Sequence, residues 1–294
     1  MNTMSKNAYI SALQWHLDAG ADEALADEPV DATALKALSP RGEGLGEGDI
    51  KAMAAGVAVK PPSPNPLPAG EKALLGASDA RKESVRLAKE AKTLDELREA
   101  IAAFDGLGLK KTATNLVFCD GNPLAPIMLV GEAPGADEDR LGKPFVGVSG
   151  QLLDKILACI GIDRAQEDPA QSIYISNILN WRPPGNRTPS PAEADVSLPF
   201  IEKHIALIKP KLLIFSGGVS TKALMGTDTN ISKLRGLFHE YIPQTKELFD
   251  EPHAAIPALA TYPPSYLLNT PSQKGLVWQD MLMLQQKRRE MGLI

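Results

Sequence analysis

The chain has 294 residues, a net charge of −5 and 44% hydrophobic residues, a composition typical of a globular protein with a sizeable core. It contains no apolar run of about eighteen residues and no basic-then-apolar leader, so we expect a cytoplasmic protein without a membrane span. Its two cysteines, Cys119 and Cys159, exclude a disulfide framework and cannot alone supply the thiolates of a zinc ribbon or an iron–sulfur cluster.

The N-terminal segment, residues 1–38, is acidic. Its first 31 residues contain six acidic residues and a single lysine, so the rest of the chain is neutral overall and can still carry a local basic groove for phosphates. Helical spacing over residues 8–26 is compatible with an amphipathic helix that docks a protein partner, or with an exposed acidic tail. Residues 39–71 contain six glycines and six prolines, and we predict a disordered linker over residues 39–80.

Residues 81–294 are predicted to form an α/β domain. The domain opens with two helices, the second of which has a capping box in Thr93 and Glu96. Four short apolar runs then alternate with helical segments, at residues 126–131, 173–179, 211–218 and 255–262. Such runs are typical of parallel strands buried on both faces. We therefore predict a three-layer αβα sandwich with a central four-stranded parallel sheet.

Ligands of open α/β sheets bind beyond the carboxyl ends of the strands, so the segments that follow the four runs are the candidates for a site. They read GEAPGADEDRLGKPFVG (Gly131–Gly147), SNILNWRPPGNRTPSP (Ser176–Pro191), SGGVSTK (Ser216–Lys222) and TYPPSYLLN (Thr261–Asn269). Neither GxGxxG nor GxxxxGK[ST] occurs, which removes the main support for a dinucleotide or P-loop site.

Single residues in these segments allow two interpretations each. Glu132 can polarise a water or cap its turn, and Phe145 can face a planar ligand or fill the core. Asn177 carries the donor and acceptor needed to read a pyrimidine edge, although an Asn after a strand is often a turn residue. Arg182 and Arg187 lie on a stiff loop that suits phosphates, but loop arginines are often only solvated.

The segment TYPPSYLLN carries apolar residues after two prolines. If Tyr266, Leu267 and Leu268 are exposed, they form a wedge of the kind that base-flipping proteins push into a duplex. The alternative is that they pack beneath the loop.

Four stretches together carry a specific resemblance. GEAPGADEDRLGKPFVGVSGQLLDKIL, YISNILNWRPPGNRTPSPAE, KLRG and PSYLL, in this order, resemble the uracil-DNA glycosylase superfamily and specifically its family-four branch, over about residues 104–284. The resemblance implies a uracil-DNA glycosylase-like fold and a base excision repair enzyme that flips uracil out of DNA and hydrolyses its N-glycosidic bond. The implied partner is uracil-containing DNA. We expect a monomer. We also expect no lyase activity, because no lysine stands close to Glu132 or Asn177 in the sequence.

The resemblance also implies roles for individual residues. Glu132 would position the hydrolytic water, Phe145 would stack on uracil, and Asn177 would pair with the pyrimidine edge. Residues implied to border the base are Ala133, Gly135 and Glu138, of which Glu138 is the candidate for rejecting the methyl group of thymine. Residues implied to contact DNA are Arg182, Asn186, Arg187, Arg235, Ser265 and Tyr266, with Leu267 as the wedge.

The chain departs from the family pattern at the residue that donates to uracil O2. The family usually has a histidine there, and this chain has Pro263, which has no donor. Losing one preorganised donor costs on the order of 100- to 1000-fold in rate. Three readings stay open: a slow enzyme, an enzyme with another donor such as a backbone amide, or a uracil- or abasic-DNA binding protein without turnover. His239 and His253 are the nearest other imidazoles in sequence, but neither lies on the motif.

A second departure concerns the iron–sulfur cluster of family-four proteins, which usually takes four cysteines. The stretch FDGLGLKKTATN lacks the first pair, and Trp181 and Ser197 occupy the other two positions. We therefore predict no cofactor and no metal, with Trp181 and apolar neighbours filling the space.

Overall fold

The described part of the chain comprises residues 76–251 and 253–294 of a computed structural model. The predicted acidic segment 1–38, its docking helix and nearly all of the predicted linker 39–80 lie outside the described residues. Helix α1 (Ala77–Glu90) begins four residues before the predicted domain start. Helix α2 (Leu94–Ala103) follows. The Thr93 half of its predicted capping box is confirmed, because the amide of Glu96 donates to Thr93 Oγ1 at 3.2 Å, but the Glu96 carboxylate accepts from the amide of Lys92 at 2.6 Å and not from Thr93.

A mixed sheet of six strands forms the centre of residues 76–294 as described. The strands are β1 (Asp120–Gly121), β2 (Ile127–Gly131), β3 (Tyr174–Asn177), β4 (Leu212–Ser216), β5 (Phe238–Tyr241) and β6 (Ile256–Thr261). Their order is β1-β3-β2-β4-β6-β5, with parallel pairing from β3 to β6 and antiparallel pairing of β1 and β5 at the two edges.

The α/β class is thus confirmed, and the prediction of a four-stranded parallel sheet is corrected to a mixed sheet of six strands. The sequence pattern missed both edge strands for a physical reason. Strand β1 has only two residues, and β5 reads FHEY and is mostly half-exposed, so neither forms a continuous apolar run.

Seven further helices connect and cover the strands within the described residues. They are α3 (Ala136–Leu141), α4 (Val148–Ala158), α5 (Pro191–Ile208), α6 (Gly218–Met225), α7 (Ile231–Leu234), α8 (Pro264–Asn269) and α9 (Lys274–Glu290). Helix α5 begins at Pro191 because Ser190 and Glu193 form a capping box directly before and inside its first turn. The short helices α3 and α8 lie in segments that the sequence had indicated only as loops.

Helices pack on both faces of the sheet. Side chains alternate along each strand, so Leu129 and Ile214 face α4 and α9 while Val130 and Phe215 face α5. A further apolar cluster joins α1 and α2 to the outer side of α5. Because the four inner strands run parallel, their carboxyl ends meet at one edge, where the site must be sought.

Within this same part of the chain, no helix combines the length and the apolar character that crossing a membrane requires.

Candidate active site

A cavity of about 550 Å³ lies at the carboxyl ends of β2, β3 and β4. Most of the predicted site residues line it, namely Glu132, Ala133, Gly135, Glu138, Phe145, Asn177, Asn186, Arg187 and Ser265. The predicted residues that do not line it are Arg182, Arg235, Tyr266 and Leu267. Residues as far apart in sequence as Glu132 and Ser265 therefore meet in one cavity, as expected for residues that follow parallel strands.

Asn177 and Phe145 meet over a glycine. Gly131 is paired in register with Asn177, and a Cβ built on Gly131 would overlap both Asn177 Oδ1 and the Phe145 ring. Only a residue without a side chain allows the amide and the ring to approach so closely. Asn177 is 2% exposed, and among the described residues its Oδ1 has no hydrogen-bond partner. A buried acceptor without a partner is rare in native proteins, and because Asn177 lines the cavity, a donor placed in the cavity can reach it.

The backbone of Phe145 adopts an unusual conformation, which fixes the position of its ring. Its φ is +53°, in the left-handed region that residues with side chains seldom adopt. The chain can turn there because Gly150, in the first turn of α4, leaves room for the carbonyl of Phe145, which a Cβ would overlap. Such strained backbone is found preferentially at functional sites.

Helix α6 fixes the side chain of Glu132 at the carboxyl ends of the strands. Its Oε1 accepts from the amide of Val219 at 2.8 Å, and Gly218 also donates to the carboxylate. Gly217 has φ +113°, and a Cβ there would overlap the carboxylate. Burial raises the pKa of Glu132 above the usual carboxyl value, although the two amides oppose this shift. The result is a fixed, partly desolvated carboxylate beside the cavity.

Glu138 stabilises the turn that leads into α3. Its carboxylate accepts from the amides of Gly135 (3.1 Å), Val146 (3.0 Å) and Gly147 (2.9 Å). The side chain is therefore committed to joining the GEAPG turn to the loop of Phe145. Its part in rejecting thymine stays a prediction, and any such effect would come from the rigid wall it supports.

The loop between β3 and α5 carries the predicted phosphate contacts. Arg182 Nε donates to Asn186 Oδ1 at 2.7 Å, and Arg187 pairs with Glu193 at 2.6 and 2.9 Å. Asn186 has a positive φ of 55°. Arg187 and Asn186 are exposed on the cavity rim, so this loop presents polar groups where a nucleic-acid backbone would run.

Arg235 is not a surface cation, and its prediction as a phosphate contact is wrong. Its Nη2 lies 2.5 Å from Asp280 Oδ1 and 2.7 Å from the carbonyl of Leu276, and its Nε lies 3.2 Å from Asp280 Oδ2. Asp280 is 0% exposed and also accepts from Thr261 Oγ1 at 2.8 Å. A guanidinium tied to a buried carboxylate in this way supports the fold.

Leu267 is buried, and its prediction as the wedge is wrong. The segment forms helix α8, in which Pro264 and Leu267 are three residues apart and both face the core. Leu267 is 0% exposed, whereas its neighbour Leu268 is 43% exposed and lines the cavity. Of the three apolar residues at this position, Leu268 therefore occupies the place that a wedge needs.

Pro263 lines the cavity at the start of α8 and offers no donor there. The two other imidazoles considered from sequence do not line the cavity. The Nε2 atom of His239 lies 2.8 Å from the carbonyl of Leu234, and the ring of His253 packs on Phe249 with centroids 4.0 Å apart.

The residues present do not fit an iron–sulfur cluster. Trp181 is buried in the apolar cluster of α1, α2 and α5, together with Phe200 and Leu179. Cys159 belongs to a different cluster from the one at Trp181, and Cys119 is only half-buried. In the described ranges, no group of three or more His, Cys, Asp or Glu side chains could hold a metal ion.

Several polar residues of the wall were not predicted from the sequence, namely Asp137, Ser149, Thr188, Ser216 and Asn269. Of these, Ser216 ends β4, and its buried Oγ has no hydrogen-bond partner in the part of the chain that the structure describes. Its segment, SGGVSTK, had been identified as a strand end, but a serine between an apolar run and two glycines gave no signal that separates a ligand contact from a turn.

Comparisons with a family model and with individual proteins point to the same family. A sequence model of the Uracil DNA glycosylase superfamily matches residues 118–282. The type-4 uracil-DNA glycosylase of Pyrobaculum aerophilum is 35% identical over 193 residues, which cover 65% of this chain and 92% of that protein. The protein of the same name from Sulfurisphaera tokodaii is 32% identical over 206 residues, covering 68% and 86%. That from Archaeoglobus fulgidus is 36% identical over 152 residues, covering 50% and 73%.

Proposed function

Because the chain belongs to the uracil-DNA glycosylase superfamily, we propose that it removes uracil from DNA by hydrolysing the bond between the base and the sugar. The observation that carries the proposal is the buried, unpartnered Oδ1 of Asn177 beside the Phe145 ring in one cavity. An extruded pyrimidine supplies the donor and the flat surface that these two groups lack.

Recognition of uracil rests on its hydrogen-bonding edge. Asn177 Oδ1 accepts from N3–H of the base, and its Nδ2 donates to O4. Cytosine has neither this N3–H nor an acceptor at position 4, so it would leave the amide unpaired. An unpaired buried polar group costs about 1–3 kcal/mol, which favours uracil.

Hydrolysis breaks the bond between sugar C1′ and base N1. The bonding electron pair leaves with the base as a uracil anion, and the oxygen of a water bonds to C1′. One proton of that water stays on the new hydroxyl group, and the other passes to solvent and is matched by protonation of the uracil anion. Glu132 orients this water and stabilises positive charge on the sugar, for which its fixed carboxylate is suited.

DNA contacts are assigned to the loop of Arg182, Asn186 and Arg187 and to Ser265 on helix α8. Leu268 takes the role of the wedge, because its exposed side chain borders the cavity. The reaction is proposed to be monofunctional. In support, no lysine of the described residues lines the cavity.

We also propose that the protein works without an iron–sulfur cluster, because Trp181 and Ser197 stand where the family has cysteines and neither side chain supplies a thiolate. Purified protein should contain no stoichiometric iron and show no visible charge-transfer band. Stoichiometric iron together with such a band would contradict this part of the proposal.

The experiment for the main proposal uses a labelled oligonucleotide with one uracil. The purified protein should release uracil, and alkali should then cleave the strand at the abasic site. Pro263 favours a second candidate, a uracil- or abasic-DNA binding protein on the same scaffold. Retention of the uracil oligonucleotide by the wild-type protein without any strand cleavage would support that candidate and contradict the enzyme.

A further inference from the structure

Ser216 lies on the same face of the sheet as Asn177. Asn177 is in register with Gly131 on β2, Phe215 is in register with Val130, and Ser216 is in register with Thr261 on β6. The next position after the Val130 and Phe215 pair brings Ser216 beside Gly131. Adjacent strands are about 4.8 Å apart, so Asn177 and Ser216 flank Gly131 with their backbones about 10 Å apart.

The hydroxyl of Ser216 is buried and unused. Ser216 is 1% exposed and lines the cavity, and its Oγ has no hydrogen-bond partner within residues 76–251 and 253–294. A buried hydroxyl without a partner is unfavourable for folding, so its presence calls for a reason outside the fold. The wall of this cavity thus contains two such oxygens, Asn177 Oδ1 and Ser216 Oγ.

Neighbouring donors at this edge are already engaged. The amide of Gly217 donates to the carbonyl of Thr261 at 3.0 Å, and the amides of Gly218 and Val219 bind the carboxylate of Glu132. The hydroxyl of Thr261 donates to Asp280. A backbone amide of this turn is therefore not free to replace the donor that Pro263 lacks.

Departure of the base needs a donor on its second carbonyl. Negative charge builds up on uracil as the glycosidic bond breaks, and part of it lies on O2. Asn177 is committed to N3–H and O4, and Pro263 has nothing to donate. Ser216 ends the strand next to β6, which leads into Pro263, so its hydroxyl lies on the side of the site where that donor is missing.

We propose that Ser216 is a catalytic residue whose hydroxyl donates a hydrogen bond to O2 of the extruded uracil. This assignment rests on the proposed glycosylase function. It explains how a chain with proline at the family's histidine position retains turnover: the donor has moved from the loop after β6 to the end of β4.

The test compares two buried serines. Ser216→Ala removes a hydroxyl that has no partner, so the fold should lose nothing. The matched control, Ser176→Ala, removes a buried hydroxyl on the neighbouring strand β3 that donates to the carbonyl of Phe118 at 2.8 Å and does not line the cavity. We expect S216A to lower kcat on the order of 100-fold with unchanged Tm and unchanged affinity for uracil-DNA. S176A should lower Tm and keep the wild-type kcat.

A second readout separates donation from packing. 5-Fluorouracil is a more acidic base and needs less stabilisation as it leaves, so the kcat deficit of S216A should be smaller on 5-fluorouracil DNA than on uracil DNA. Wild-type kcat in S216A, or an equal deficit on both substrates, would overturn the assignment while the glycosylase function stands. An inactive wild-type protein would instead overturn the glycosylase function, and this inference with it.

Discussion

Two groups of polar side chains at the same edge of the sheet differ in how far their polar atoms are hydrogen-bonded. The Asp280 cluster, formed by Arg235, Thr261 and Asp280, is closed, since each polar side chain contacts another within it. The open pair, Asn177 and Ser216, contains two buried oxygens to which no described residue hydrogen-bonds. Residue type alone would have favoured the charged cluster as the DNA site. The polar groups of the cluster are satisfied within the fold, whereas the open pair lines the cavity with oxygens that no described residue engages.

The largest expected effect is the loss of stability when the Asp280 cluster is broken. Asp280→Asn leaves the Arg235 guanidinium without its counter-charge, and removing one partner of a buried pair costs about 3–5 kcal/mol of stability. Urea unfolding should show this loss. The double variant Arg235→Met/Asp280→Asn should recover part of it and bind uracil-DNA like the wild type. Weakened DNA binding in the double variant would reinstate Arg235 as a phosphate contact.

The adjacent residues Leu267 and Leu268 provide the next comparison. Leu267→Ala empties a fully buried site in α8 and should cost about 2–5 kcal/mol in urea unfolding. Leu268→Ala should leave stability unchanged and slow uracil release from duplex DNA more than from single strands, because a wedge is needed only where a partner strand closes the gap. Equal slowing on both substrates would contradict a wedge.

Loss of the amide tests the open pair directly. Asn177→Ala should lower uracil release by at least about 100-fold, because the buried edge contact is made with the reacting base. Its free energy of unfolding should stay within about 1 kcal/mol of the wild type, since Oδ1 has no partner to lose. A stable variant with undiminished cleavage would remove Asn177 from the site.

The ionisation of Glu132 determines the expected pH dependence of uracil release. Burial raises the pKa of its carboxyl above 4.5, and the proposed role requires the ionised form. The rate should therefore fall as the pH drops through this raised pKa, and the acid limb should lie above the usual carboxyl range. Glu132→Gln should lower kcat on the order of 100-fold and abolish that limb. Retention of the limb in E132Q would assign it to another group.

The smallest effect is expected on the exposed loop. Arg182→Ala should weaken binding similarly for all DNA sequences and reduce the slope of log affinity against log salt by about one. The control is Arg86→Ala on α1, whose guanidinium pairs with Glu83 and Glu90 away from the cavity. An unchanged salt slope in R182A would mean that Arg182 serves only to hold Asn186.

The part of the candidate site that can be predicted from sequence consists of residues that follow the apolar strand runs. Glu132, Phe145 and Asn177 were identified from the segments that follow apolar runs, and the structure brings them to one cavity. The family resemblance is confirmed by the match over residues 118–282. Arg235 and Leu267 were misjudged because a loop arginine and a loop leucine have the same sequence appearance whether they face solvent or the core.

The amino-acid sequence by itself determined the α/β class, the positions of the four inner strands and the family. These depend on local apolar patterns and on motif order, which are properties of contiguous residues. Only the tertiary structure decided which polar atoms are satisfied. Asp280 meets Arg235 from 45 positions away, and Val219 meets Glu132 from 87, so no local pattern reports these pairs. The same long-range packing leaves Asn177 Oδ1 and Ser216 Oγ without a partner among the described residues, at the wall of the candidate site.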